Sequence, residues 1–131
     1  MATVNPYQQY QEQSIMTASP GELTLMLYNG CIKFINQAKL FIEQKNIEKA
    51  NNAIIRAQDI IQELMVTLNM DYEISKNLAA LYDYMNRRLI DANISKDTQI
   101  LEEILDMVTE LRDTWIEVIK KTRKQMYGNR G

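Results

Sequence analysis

Apolar residues recur along most of this chain in steps of three and four. Ile47, Ala50, Ile54, Ala57, Ile61, Leu64 and Leu68 keep that step, the spacing of one buried helical seam. Ile74, Leu78, Leu81, Met85, Leu89 and Ala92 repeat it. So do Leu101, Ile104, Val108, Leu111, Trp115, Val118 and Thr122. The pattern predicts helices over residues 47–69, 73–93 and 97–125, interrupted at "NMDYEIS" and "NISKDT", with Asp97 capping the last.

The stretch "SPGELTLMLYNGCIKF", residues 19–34, opens an earlier helix. Ser19 suits the N-cap, Pro20 the first helical position, and Glu22 lies three residues beyond the cap, which makes a capping box. The helix is expected to reach residue 44, because "KNIEK" breaks the pattern and Asn46 offers a cap for the next one. From Leu23 to Ile42 its apolar side chains cover an arc of roughly 200°, twice the roughly 100° stripe of a surface helix. Either this helix is central and touches two neighbours, or part of the arc is an open groove for another apolar helix. The sequence supports both explanations.

Short connections between long amphipathic helices imply antiparallel neighbours. The predicted fold is therefore all-α, an up-down bundle of four long helices within residues 19–127, followed by a tail at 128–131. In residues 1–18 the apolar members Val4, Tyr7, Tyr10, Ile15 and Met16 are sparse among Gln, Asn and Ser. That composition predicts a mobile or partly helical leader with two aromatic anchors.

The chemistry-bearing residues narrow the function. With 131 residues one domain is expected. Fifteen basic and seventeen acidic residues alternate along the chain, so no face is built to neutralise phosphates and nucleic acid is excluded as a partner. There is no histidine, which removes the usual general base and the Glu-x-x-His pairs of di-iron bundles. Cys31, the single cysteine, falls inside the apolar arc with no imidazole to activate it. Glu102 and Glu103 are adjacent and diverge on a helix, and neither Gly21 nor Gly30 belongs to a phosphate-binding loop. The expectation is a protein without catalysis, cofactor or metal. No apolar run spans a bilayer and the first residues lack a signal sequence, so a soluble cytoplasmic protein is expected. The basic end "KKTRKQMYGNRG" suits a helix C-terminus. In "LYDYMNRRL", Leu81, Tyr82, Met85 and Leu89 share a face beside Tyr84, Arg87 and Arg88, a set that fits an interface or a core edge.

Four stretches, "NPYQQY", "ASPGELTLMLYNGCIKFI", "ALYDYMNRRLIDANI" and "LRDTWIE", stand in the order and spacing of the FliS family. The chain resembles these cytoplasmic export chaperones of flagellin over nearly its whole length. The resemblance implies a helical bundle that binds the disordered C-terminal segment of flagellin in apolar grooves. It also implies that the chaperone prevents premature polymerisation and delivers that segment to the membrane-embedded export gate. Tyr7 and Tyr10 occupy the positions of the family's gate-docking pair. On this basis Leu27, Cys31, Ile32, Ile35, Leu81 and Met85 are the candidate groove residues. The leader, tethered a few residues from the first long helix, is expected to cover the groove as a weak lid when cargo is absent. The competing expectation is a structural or sensory bundle that self-associates through the same apolar face.

Overall fold

In a computed structural model of the chain, residues 20–128 are described, with the side chains of residues 21–124. The leader with Tyr7, Tyr10, Ile15 and Met16, the Ser19 cap and residues 129–131 lie outside them. Four helices follow one another: α1 (Pro20–Glu43), α2 (Ile47–Val66), α3 (Glu73–Ser95) and α4 (Thr98–Gly128). No strand occurs among the described residues. Each helix packs on two others, α1 on α2 and α4, and α3 on α2 and α4, which makes a closed ring. Contacts at both ends fix the antiparallel sense. Lys39 pairs with Glu102, Arg123 pairs with Glu22 at 2.7 Å, and Trp115 Nε1 donates to the Gly21 carbonyl at 2.8 Å.

The junctions use local hydrogen bonds to stop one helix and start the next. After α1, Lys45 takes a left-handed backbone, φ 59°. Its N–H reaches the Ile42 carbonyl and the Asn46 N–H reaches Phe41, so the last carbonyls of α1 are satisfied. Asn46 Oδ1 then accepts from the Lys49 N–H at 3.2 Å and caps α2. Helix α2 stops at Val66, where the Thr67 N–H bonds to the Glu63 and Met65 carbonyls and its hydroxyl donates to Leu64. In the α2–α3 connection, the buried Ser75 hydroxyl donates to the Asn69 carbonyl at 2.6 Å. Lys96 ends α3 in a second left-handed conformation, and Asp97 Oδ1 accepts from the Gln99 N–H at 2.8 Å to open α4.

The core is one seam per helix: Tyr28, Cys31, Ile35 and Ala38 from α1, then Ala53, Ile54, Ala57, Ile61 and Leu64 from α2. Tyr82, Met85, Leu89 and Ala92 come from α3, and Leu101, Ile104 and Val108 from α4. Small residues on α2 and Gly30 on α1 bring these two helices close. A Cβ at Gly30 would stand 3.1 Å from Ile60 Cδ1.

Four positions assigned to the seams by spacing are not in the core. Ile47 and Ile74 are exposed in the first turns of α2 and α3, and Val118 and Thr122 are exposed on α4. A buried layer exists only where all four helices overlap, and α4, at 31 residues, outruns its 24- and 23-residue neighbours α1 and α3. Conversely, Tyr82 is core and not interface. Its hydroxyl meets that of Tyr28 at 2.6 Å across the bundle, the partner each buried phenol requires. Burial pushes both phenols above their ordinary range; for Tyr28 the bond to Tyr82 partly offsets this, whereas for Tyr82 the bond adds to it.

Candidate peptide-binding groove

The outer flank of the α2–α3 pair is where exposed apolar side chains gather. Asn51 and Gln58 stand one heptad apart on α2, opposite Ile90, Asn93 and Ile94 on α3, and together they line a cleft of about 400 Å³. Ile47 and Ile55 lie one turn to either side of Asn51 on the same flank. Ile47 is 52% exposed, Ile55 42%, Ile90 41% and Ile94 80%. Ile90 and Ile94 line the cleft while Ile47 and Ile55 stand one turn from Asn51, so four open isoleucines gather about it.

The floor is made of uncharged amides, one of which is held by the Lys96 ammonium. Asn93 Nδ2 donates to Asn51 Oδ1 at 2.8 Å, tying the two helices, and Lys96 Nζ donates to Asn93 Oδ1 at 2.7 Å. One heptad before Asn93, Asn86 Oδ1 is buried with no hydrogen-bond partner among the described residues. Amides at Asn51, Gln58 and Asn93 supply donors and acceptors beside the isoleucines, suited to a peptide that brings apolar side chains together with polar groups.

The residues selected from the sequence as groove candidates are not brought together here. Cys31, Ile35 and Met85 have no exposed surface; they face the bundle axis and belong to the core. Burial pushes the Cys31 thiol up to about 12, the opposite of what a nucleophile needs. Leu27, Ile32 and Leu81 are half-buried on three different seams. Leu27 heads the column of Phe34 and Phe41 on the α2 side of α1, and Ile32 precedes Lys39, the partner of Glu102, on the α4 side. Leu81 lies one turn before Tyr84 and two before Arg88. Tyr84 donates to Glu103 of α4 at 2.7 Å, and Arg88 contacts the same carboxylate at 3.4 Å. The signal for the groove was present in the sequence as amides at heptad spacing, Asn51 with Gln58 and Asn86 with Asn93, beside isoleucines one step off each seam.

The broad apolar arc of α1 is largely accounted for by its two neighbours. Its central column is core, and Leu27, Phe34 and Phe41 pack towards α2 while Ile32 packs towards α4. Among the described residues no group of His, Cys, Asp and Glu could hold a metal ion, and no helix is long and apolar enough to cross a membrane.

The family model described as flagellar protein FliS matches residues 3–122. A flagellar secretion chaperone FliS of Bacillus subtilis is 52% identical over 131 residues, covering all of this chain and 98% of the relative. The protein of the same description from Salmonella typhimurium is 35% identical over 117 residues, 87% of each chain. A solved structure described as a flagellar chaperone from bacteria superposes with a TM-score of 0.74 at 18% identity, covering 88% of this chain and 99% of its own. That likeness establishes the four-helix bundle as a fold shared with a flagellar chaperone. Matched by the family model over most of its length and by relatives along it, the chain belongs to the FliS family.

Proposed function

We propose that this chain is a flagellar secretion chaperone. It binds the disordered C-terminal segment of flagellin in the cytoplasm, keeps it from polymerising and hands it to the flagellar export gate. The observation that carries the cargo site is the α2–α3 flank, where Ile47, Ile55, Ile90 and Ile94 stay open beside a row of amides. The mechanism is coupled folding and binding. A disordered tail loses conformational entropy as it orders, and apolar contact must offset that loss. About 1,000 Å² of apolar contact supplies on the order of 25 kcal/mol gross, most of it opposed by ordering and association costs. The net is a complex that holds in the cytoplasm yet releases at the gate.

Delivery is assigned to the leader. Tyr7 and Tyr10 dock on the export gate, and the leader competes with cargo for the apolar surface, so loading frees the two tyrosines.

Titration of the full chain with a flagellin C-terminal peptide tests the cargo role. The expected outcome is a one-to-one complex with increased helicity and a negative heat-capacity change. Because the residues lining the cleft are uncharged, the dissociation constant should change less than about threefold between low and moderate salt. Light scattering that shows a concentration-dependent dimer and no complex with the peptide would favour the self-associating bundle instead.

A further inference from the structure

The α1–α2 face carries chemistry that the cargo groove does not use. Phe34 and Phe41 on α1, with Asn52 and Arg56 on α2, border a second cleft of about 150 Å³. Cations stand over both rings. Arg56 lies 5.6 Å from the Phe34 centroid, Lys33 also 5.6 Å from it, and Lys49 5.7 Å from that of Phe41.

No carboxylate among the described residues pairs with the cations on this face. Arg87, Arg88, Arg112 and Arg123 all pair with Asp or Glu. The α1–α4 and α3–α4 seams are bridged by Lys39 with Glu102 and Arg88 with Glu103. Among the described residues Arg56 is the arginine without such a partner, Lys33 and Lys49 have none, and no ion pair crosses α1–α2. Asp59 stands one turn from Arg56 on α2, and no ion pair joins them. The face thus offers two half-buried aromatic rings flanked by three cations that make no ion pair among the described residues.

We propose that the α1–α2 face is a second docking surface, for a protein segment that presents carboxylates on either side of an apolar side chain. Lys49 and Arg56 are one heptad apart, about 10 Å along the helix axis. A helix laid in the α1–α2 groove meets both with acidic residues at i and i+7, and its apolar residue at i+3 or i+4 enters the cleft between Phe34 and Phe41. Charge complementarity selects this occupant: a purely apolar segment leaves the cations desolvated beside it, and a basic one is repelled. This inference stands apart from the flagellin-binding proposal, since it uses the other side of α2 and an interaction that salt screens.

The test uses the full chain and two synthetic alanine-based helical peptides. One carries Glu at positions seven apart with Leu between them; the other replaces both Glu by Gln. The acidic peptide should bind at least about tenfold more tightly, and its advantage should shrink several-fold between 50 and 300 mM salt. In the double variant Lys49→Gln, Arg56→Gln, whose side chains are exposed and outside the core, the advantage should disappear while the affinity for the flagellin tail is unchanged. Equal binding of the two peptides, or an advantage that survives in the double variant, overturns the proposal. So does self-association of the free chain that the double variant abolishes, which makes a second copy the occupant. Binding to phosphatidylserine vesicles that depends on Arg56, without discrimination between the peptides, assigns the face to a lipid surface and also overturns it. A parallel loss of flagellin-tail affinity in the double variant merges the face with the cargo site and denies it a separate partner.

Discussion

The double substitution Ile90→Glu, Ile94→Lys is expected to weaken flagellin-tail binding by a hundredfold or more, about 2.7 kcal/mol, without unfolding the chain. Both isoleucines lie on the open flank of α3, and Ile94 keeps most of its surface in solvent. Burying an isoleucine side chain against a ligand contributes roughly 1.5–3 kcal/mol, so removing two of them accounts for the loss without any further effect. The replacements suit the helix they enter. Glu four residues before Lys is the favourable orientation of an ion pair on a helix surface, and a cation in the last turn of α3 complements the helix dipole. Net charge is unchanged. The thermal midpoint should therefore stay close to that of the parent chain, as for other exposed substitutions. A fully folded double variant that binds the tail as tightly as the parent would remove the α2–α3 flank from the cargo site.

Met85→Ala is the complementary case. Met85 has no exposed surface and packs with Tyr82, Leu89 and the other seams at the bundle axis. Truncating it leaves a cavity, and such changes cost about 2–5 kcal/mol. In a chain of this length the midpoint should fall by roughly 10 °C or more. Flagellin binding should decline only as the folded fraction declines, and should recover on cooling into the folded range. Thermal melts followed by circular dichroism, with titrations on both sides of the midpoint, separate these effects. Loss of binding in a variant shown to be fully folded would return Met85 to the cargo surface.

The contrast between these two positions shows how far the sequence is informative. Helix count and inward faces follow from spacing, because a seam of three- and four-residue steps has only one way to be buried. The caps at Asn46 and Asp97 follow from side-chain chemistry that acts within one turn. Which flank stays open does not follow. Ile35 and Ile90 are both isoleucines on amphipathic helices, yet one is enclosed and the other is 41% exposed. The difference is set by how neighbouring helices pack, which no single helix encodes. Ile47 and Ile74 continue their seams in register but lie at helix starts, beyond the layers that four helices share. The Tyr28–Tyr82 pair was hidden for another reason. Its hydroxyls satisfy each other across 54 residues of sequence, and a tyrosine in a mixed stretch such as "LYDYMNRRL" looks equally suited to an interface. The wide apolar arc of α1, the most conspicuous feature of the sequence, is mostly interior. The open surface lies on helices whose patterns look ordinary.

The central claim, that cargo occupies the α2–α3 flank, is tested most directly by methyl NMR of the full chain with labelled isoleucine δ1 groups, titrated with the flagellin C-terminal peptide. The signals of Ile55, Ile90 and Ile94 should move first and furthest and saturate at one equivalent, while that of the enclosed Ile35 changes little. Saturation that leaves these three in place, with the largest changes at Ile32 or Ile60 on the flanks of the α1 seams, would contradict it.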